Sequence, residues 1–223
     1  MSPSVTSNSP TAAAAAQLWL LDGNLIDTAK LVALTAELGP SERKRYDSFV
    51  RAQRAREFVL GRALLRHAVR QLFDIENASI QITERQANAP LLALTPPYLA
   101  AAFHFSLSHS HGWIACVTSI TCRVAVDIEE RNHPRDIDAI GAASLDEQTL
   151  KWLSQLPQPQ RLAAFYRVWG CQEALYKLAH NREPGDLGDD ACNCRIIEHE
   201  RLAICLCSTA ELETLEVIKL ANI

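Results

Sequence analysis

Residues 123–129 read Arg-Val-Ala-Val-Asp-Ile-Glu, and the alternation of side chains in this stretch predicts a β-strand. The β-branched residues would face one side of the strand, whereas Asp127 and Glu129 would lie together on the other side. Positions i and i+2 of a strand are about 6.6 Å apart, so two carboxylates there repel each other unless a cation lies between them. The stretch therefore predicts a strand with one apolar face and one acidic pair.

A second stretch, residues 165–177, reads Phe-Tyr-Arg-Val-Trp-Gly-Cys-Gln-Glu-Ala-Leu-Tyr-Lys and has the spacing of a helix. Every fourth residue falls on one stripe, which passes from aromatic rings through a carboxylate to an ammonium group: Phe165, Trp169, Glu173 and Lys177. Glu173 would lie where a buried face meets solvent. By spacing alone, Glu173 and Lys177 also fit a surface pair worth about 0.3–0.5 kcal/mol, and the acidic pair also fits a solvated strand end.

A third stretch, residues 105–110, reads Phe-Ser-Leu-Ser-His-Ser and precedes the acidic strand. In this order, the three stretches resemble the motifs of the phosphopantetheinyl transferases of the two-lobed Sfp type. Those motifs are F-N-x-S-H-S, then G-x-D-x-E, then W-x-x-K-E-A-x-x-K. Weaker agreement extends upstream to residues 39–49 and 56–66, so the resemblance covers most of residues 17–180.

The resemblance implies an α+β fold with two similar α+β lobes and the active site at their interface. The sequence agrees, because each half places a long amphipathic helix, near residues 52–73 and 158–179, before a set of short strands. We expect a disordered tail at 1–16, an N-terminal lobe at 17–119 and a C-terminal lobe at 120–223. Two lobes in one chain can supply both sides of a site, so we expect a monomer.

The resemblance also implies an activity: Mg²⁺-dependent transfer of the phosphopantetheine arm of coenzyme A to a serine of an acyl or peptidyl carrier protein, with release of 3′,5′-ADP. By resemblance, Asp127, Glu129 and Glu173 would hold the Mg²⁺, which prefers oxygen ligands. Glu173 would also take the proton of the incoming serine, directly or through a metal-bound water. Lys177 would pair with the phosphate oxygens and assist the leaving group.

Further coenzyme contacts are implied in the first lobe. By resemblance, Ser108 and His109 would contact a phosphate, and Arg43 and Arg45 would bind the 3′-phosphate. Without the resemblance, a histidine between serines also fits a hydrogen-bonded turn residue. The two arginines also fit a solvated helical face.

The chain departs from the family pattern at three positions. Gln172 stands where a lysine is usual, Asn88-Ala-Pro90 replaces a Gly-Lys-Pro motif, and Ser106 replaces an asparagine. Two expected cations are thus absent, and a charge-assisted phosphate contact is worth about 1.5–3 kcal/mol. The three acids, His109 and Lys177 are retained, which favours an active enzyme over a degenerate paralogue that binds coenzyme A or a carrier protein without turnover.

The charge of the chain is unevenly distributed. The net charge is −4 over 223 residues, yet residues 41–70 contain nine Lys or Arg against three Asp or Glu. This basic segment would attract anions. Since no helix-turn-helix, zinc-finger or aromatic-interleaved basic motif accompanies it, we expect no nucleic-acid partner.

The seven cysteines include two Cys-x-Cys pairs, Cys192/Cys194 and Cys205/Cys207. Structural zinc usually uses wider spacings, so small buried side chains are the simpler interpretation of these pairs. We expect reduced thiols and a cytoplasmic protein. Residues 1–16 lack the basic segment of a secretory signal, and no stretch reaches about 18 consecutive apolar residues, so we expect no membrane association.

Overall fold

Three β-sheets and six α-helices make up the residues that the computed structural model describes, which are 13–85, 88–131, 136–181 and 192–223. The helices are α1 (Thr28–Ala36), α2 (Pro40–Tyr46), α3 (Ala52–Phe73), α4 (Ile137–Ser144), α5 (Glu147–Ser154) and α6 (Gln158–His180). The strands are β1 (Ala15–Asp22), β2 (Ile80–Arg85), β3 (Asn88–Leu94), β4 (His104–Ser110), β5 (Trp113–Ser119), β6 (Val124–Glu130), β7 (Asn193–Ile197), β8 (Leu202–Ser208) and β9 (Thr214–Leu220). These elements confirm the predicted α+β class and both predicted long helices.

The first sheet has the strand order β4-β5-β1-β9. β1 pairs antiparallel with β5 on one side and parallel with β9 on the other. Trp19 and Leu21 pack into one core cluster, whereas Leu18 and Leu20 pack into another on the opposite face. Burial of both faces explains why residues 18–21 are all apolar.

The helix α3 covers one face of this sheet. Its apolar residues recur at helical spacing and are fully buried against β1, β5 and the β2–β3 hairpin: Leu60, Leu64, Leu65, Ala68 and Val69. Helix α3 contacts both β4 and β5, so this packing holds the helix beside the strand that carries Ser108 and His109.

The second sheet has the order β6-β8-β7 and carries the acidic strand. Val124, Val126 and Ile128 of β6 pack against the first sheet, as the alternation predicted. Ala125 faces the other way and packs against α6. Both faces of β6 are therefore covered, and all seven of its residues are buried.

Helix α6 lies close to the acidic strand because it has a glycine at the contact. A Cβ atom on Gly170 would come within 2.9 Å of Cys205 Sγ and 3.7 Å of Asp127 Oδ2. A larger residue there would push α6 away from β6 and β8. Gly170 thus sets the distance between the helix of Glu173 and Lys177 and the strand of Asp127.

Two arginines of the basic segment form buried ion pairs and are not part of a solvated face. Arg66 makes two bonds of 2.7 and 2.5 Å to Glu42, and Arg62 makes two bonds of 2.6 and 2.9 Å to Glu84. Glu42 is fully buried and also accepts a hydrogen bond from the Gly39 amide. Much of the positive charge of residues 41–70 therefore serves the fold rather than an anion.

One pair of cysteines contradicts the expectation that all thiols are reduced. Cys194 on β7 lies directly opposite Cys207 on β8, and the two form a disulfide. Cys205 is buried as expected, whereas Cys192 is exposed. The sequence groups the cysteines by the two Cys-x-Cys motifs, and each motif contributes one residue to the bond. Only the register of β7 against β8 brings Cys194 and Cys207 together.

Strands β1 and β9 cross two of the predicted boundaries in the chain. β1 begins at Ala15, inside the predicted tail, and residues 1–12 lie outside the described residues. β9 completes the sheet of the first lobe although it was assigned to the second. The division of the chain between residues 119 and 120 stays a prediction.

Within the described residues, no helix combines the length and the apolar character that crossing a bilayer requires.

We predict that Glu42→Gln lowers the free energy of unfolding by about 3–5 kcal/mol, because it leaves the Arg66 guanidinium buried without a counter-charge. Urea unfolding of the full chain measures this loss. The matched control is Asp138→Asn, which removes one partner of the exposed Arg161–Asp138 pair and should cost about 1 kcal/mol or less. Equal losses in the two variants would contradict the structural role of Glu42.

Candidate active site

A cleft of about 350 Å³ opens between α3, β4 and the β2–β3 hairpin on one side and α6 on the other. Among the described residues, its wall contains more positive than negative side chains. These cations are Arg45, Arg54, Arg62, Arg85 and Lys177, and these carboxylates are Glu57 and Glu84. A concave site with this charge favours a small anionic ligand.

Lys177 lines this cleft and contacts Asp127 on β6. The Lys177 ammonium lies 2.8 Å from Asp127 Oδ1 and donates further hydrogen bonds to Ser108 Oγ at 3.0 Å and to the Val126 carbonyl at 3.1 Å. Asp127 is 6% exposed, so its charge requires this compensation. The contact joins α6 to β4 and β6, and it rules out the simple surface pair of Glu173 with Lys177.

Two more carboxylates follow Asp127 on β6, and both are buried. Glu129 accepts a hydrogen bond of 2.8 Å from Ser110 Oγ. Glu130 pairs with Arg201 at 2.5 Å, and that guanidinium also lies over the Trp113 ring. The acidic strand is therefore not a solvated strand end.

The second oxygen of Asp127 distinguishes this site from an ordinary ion pair. Asp127 Oδ2 is buried and has no hydrogen-bond partner among the described residues. An uncompensated carboxylate oxygen is costly to bury, and a bound cation would remove the cost. Asp127 and Glu129 thus fit a hard divalent ion such as Mg²⁺, which uses one or two protein carboxylates together with waters and substrate phosphates.

Glu173 is half-buried on α6, one turn before Lys177. The described residues contain no cluster of three or more side chains arranged to hold a metal, so Asp127, Glu129 and Glu173 do not converge as one ready-made ligand set. The place of Glu173 in the metal shell stays a prediction.

His109 lines the cleft and is held between Arg54 and Glu57. Arg54 Nη1 is 2.9 Å from His109 Nε2, and Glu57 Oε2 is 3.3 Å from His109 Nδ1. Burial and the positive charge of Arg54 lower the pKa of His109, while Glu57 acts in the opposite direction. Because the folded chain binds this proton less tightly than the unfolded chain, His109 contributes stability above pH 6.5 that is lost as the pH falls towards the lowered pKa.

The two arginines predicted to bind the 3′-phosphate lie in different places. Arg45 lines the cleft and stacks on Phe49. Arg43 instead donates to the Thr35 carbonyl at the end of α1 and is not among the residues that line the cleft. Residues two positions apart on a helix point in different directions, so Arg43 and Arg45 cannot share one face of α2.

Two cleft arginines, Arg85 and Arg54, were not singled out from the sequence. Ala89 lines the cleft at the position where a lysine was expected, and Arg85 reaches its carbonyl with a bond of 2.7 Å. Arg54 lies at the side of His109. The family motif places a lysine at residue 89, where this chain has alanine. Arg85 is the nearest arginine in the sequence, and this proximity was the signal that could have identified it.

We predict that His109 titrates below pH 6.5 and that its neighbours shift the midpoint in opposite directions. Arg54→Gln should raise the pKa of His109 by removing a nearby positive charge, whereas Glu57→Gln should lower it by removing a negative one. A titration of the His109 ring protons by NMR measures all three midpoints. A wild-type midpoint above 6.5, or a downward shift in Arg54→Gln, would contradict this geometry.

Comparison with protein families gives two consecutive matches. Residues 27–121 match the model of the "4′-phosphopantetheinyl transferase, N-terminal" family. Residues 123–218 match the model of the "4′-phosphopantetheinyl transferase superfamily". The junction between the two matches falls between β5 and β6, at the boundary of the two sheets.

Individual relatives agree with these matches. The chain is 25% identical over 149 residues to the 4′-phosphopantetheinyl transferase HetI of Nostoc sp., which covers 67% of this chain and 62% of the relative. It is 24% identical over 155 residues to the transferase gsp of Aneurinibacillus migulanus, covering 69% and 61%. It is 31% identical over 125 residues to psf-1 of Bacillus pumilus, covering 56% and 50%.

The chain thus spans less than two thirds of the length of each of these three relatives. Together with the family matches over 27–121 and 123–218, these similarities establish that the chain belongs to the 4′-phosphopantetheinyl transferase superfamily.

Proposed function

We propose that this chain transfers the 4′-phosphopantetheine arm of coenzyme A to a serine of an acyl or peptidyl carrier protein, in a Mg²⁺-dependent reaction that releases 3′,5′-ADP. One observation carries the proposal: Asp127 has one oxygen on Lys177 and the other buried without a partner, beside a cleft lined by cations. Such a site suits phosphoryl-type transfer, in which the protein must position a diphosphate and neutralise its charge.

Binding of coenzyme A would rest on the positive wall of the cleft. Arg45 and Arg85 each line it, and neither forms an ion pair with another described residue, so both are suited to phosphate oxygens. Arg62 already forms an ion pair with Glu84, so its charge is compensated within the wall of the cleft rather than by a ligand. His109 is neutral near pH 7 because its pKa is lowered, so it would act as a hydrogen-bonding group rather than as a cation.

Mg²⁺ would be held by Asp127 and Glu129, with Glu173 as the third carboxylate. When bound, it would neutralise negative charge on the diphosphate. Asp127 and Glu129 are already oriented by hydrogen bonds from Ser108 and Ser110, so little rearrangement of these side chains would be needed.

Lys177 and Glu173 would carry the proton and charge transfers. Lys177 has an ammonium group fixed by three acceptors in the wall of the cleft, where it would stabilise charge on the departing phosphate. Glu173 lies one turn away on the same helix and would accept the proton of the carrier serine, directly or through a water.

The alternative is a protein that binds coenzyme A or a carrier protein without turnover. Ala89 in the cleft wall and the exposed Gln172 favour it, since each stands where the family pattern has a lysine. Tight coenzyme binding by calorimetry, together with no transfer to any carrier, would select this alternative. In either case, we propose a cytoplasmic monomer that has neither nucleic acid nor a membrane as a partner.

We predict that Asp127→Asn lowers kcat/KM for transfer by about 10²–10³-fold, because an amide neither neutralises Lys177 nor binds a hard cation. The assay incubates the full chain with coenzyme A, MgCl₂ and a panel of apo carrier proteins and follows the mass increase of the carrier. Asp138→Asn is the matched control, because it removes an exposed carboxylate that does not line the cleft and should leave the rate unchanged. Full activity of Asp127→Asn, or no modification of any carrier by the wild type, would contradict the proposal.

We predict that Arg85→Gln raises KM for coenzyme A by about tenfold with a smaller effect on kcat, because it removes one charge-assisted contact to the bound coenzyme. Steady-state kinetics with a single carrier measure both constants. Arg161→Gln removes an arginine that does not line the cleft and serves as the control. An unchanged KM in Arg85→Gln would show that Arg85 does not replace the missing lysine.

A further inference from the structure

Three serines on β4 contact three backbone amides on β6 in a regular series. Ser106 Oγ accepts from the Val126 amide at 3.3 Å, Ser108 Oγ from Ile128 at 3.2 Å, and Ser110 Oγ from Glu130 at 3.1 Å. We call these three serines the serine ladder. The two strands belong to different sheets, so side-chain hydroxyls take the place of backbone pairing between them.

The serine ladder provides hydrogen-bond partners for the amides at the edge of β6 that does not pair with β8. β8 pairs with one edge of this strand, and the alternate amides of Val126, Ile128 and Glu130 point away from β8 towards β4. All residues of β6 are buried, and a buried amide without a partner costs about as much as a lost hydrogen bond. Serine at every second position of β4 matches the spacing of these amides, because both strands repeat every two residues.

The direction of each hydrogen bond determines what the serines do to the carboxylates. A hydroxyl has one proton and two acceptor positions. At Ser108, the Ile128 amide and the Lys177 ammonium occupy both acceptor positions, so the proton is directed at Asp127 Oδ1, 3.1 Å away. Ser108 and Lys177 together therefore hold Asp127 Oδ1 in place by two hydrogen bonds.

Ser110 repeats this arrangement one step along the strand. It accepts from the Glu130 amide and donates to Glu129 Oε2 at 2.8 Å. Its hydroxyl also lies 3.2 Å from His111 Nδ1. Ser110 is 3% exposed, and its contacts are to the acidic strand and to the adjacent turn rather than to the cleft, whose lining stops at His109 on β4.

We propose that Ser110 is a positioning residue for Glu129 and that the serine ladder fixes the acidic strand at the cleft. This inference rests on the proposed function, since it explains how the carboxylates that would hold Mg²⁺ are oriented. Ser110 touches no substrate in this account. It donates a hydrogen bond to the Glu129 carboxylate and accepts one from the Glu130 amide of the β6 backbone.

The test uses Ser110→Ala in the full chain. Loss of the hydroxyl should accelerate hydrogen exchange of the Glu130 amide by about tenfold, the equivalent of one net hydrogen bond. It should also raise the Mg²⁺ concentration that gives half-maximal transfer, with a much smaller effect on kcat at saturating Mg²⁺. Rescue by excess Mg²⁺ separates a positioning role from general loss of structure.

The matched control is Ser208→Ala. Ser208 is also a buried serine, in the same sheet as β6, but its hydroxyl donates to the Ala210 carbonyl at the far end of the strand pair. This variant should leave both the Glu130 exchange rate and the Mg²⁺ midpoint unchanged. Equal effects of the two variants, or an unchanged Mg²⁺ midpoint in Ser110→Ala, would overturn the proposal.

A measurement on the wild type keeps the proposal testable if Ser110→Ala does not fold. The amides of Val126, Ile128 and Glu130 should be as protected from exchange as the alternate amides that face β8. Exchange of these three amides at the rate of a solvated strand edge would overturn the ladder itself. Failure of the wild type to modify any carrier would instead refute the proposed function, because amide protection does not depend on turnover.

Discussion

The burial of three carboxylates on one strand is the constraint on which the rest of the structure depends. Asp127, Glu129 and Glu130 lie within four residues of β6, and each is less than 10% exposed. Buried charges require compensation from outside the strand, because the strand itself offers none. The compensation comes from Lys177 on α6, from the serine ladder on β4 and from Arg201 between β7 and β8.

This constraint connects the fold to the proposed chemistry. The groups that stabilise the acidic strand come from both family-matched halves of the chain, because the serines lie in the first half and Lys177 and Arg201 in the second. Folding of the two halves together therefore also assembles the site. The compensation is incomplete at Asp127 Oδ2, which has no partner among the described residues, and the cleft beside it is lined by cations. A fold that leaves a negative oxygen and a positive cleft side by side is suited to a metal–diphosphate ligand.

Local periodicity predicted the elements, and long-range pairing limited the prediction of the site. The two-residue alternation of β6 and the four-residue stripe of α6 are local patterns, so the acidic pair and Lys177 could be identified from the sequence. The pairing of β1 with β9, the bond from Cys194 to Cys207 and the ion pairs of Arg62 and Arg66 join residues that are distant in the chain. No local pattern records such partners. The family motifs supplied part of this information, but they did not indicate that Arg85 lies beside Ala89 or that Arg43 turns away from the cleft.

A crystal structure of the full chain with coenzyme A and Mn²⁺, used in place of Mg²⁺ for its anomalous signal, would locate the metal and the coenzyme together. We expect an anomalous peak in contact with Asp127 and Glu129, with the coenzyme diphosphate in the cleft between α3 and α6. Coenzyme bound elsewhere, or a cleft in which Asp127 contacts only Lys177 and no metal, would contradict it.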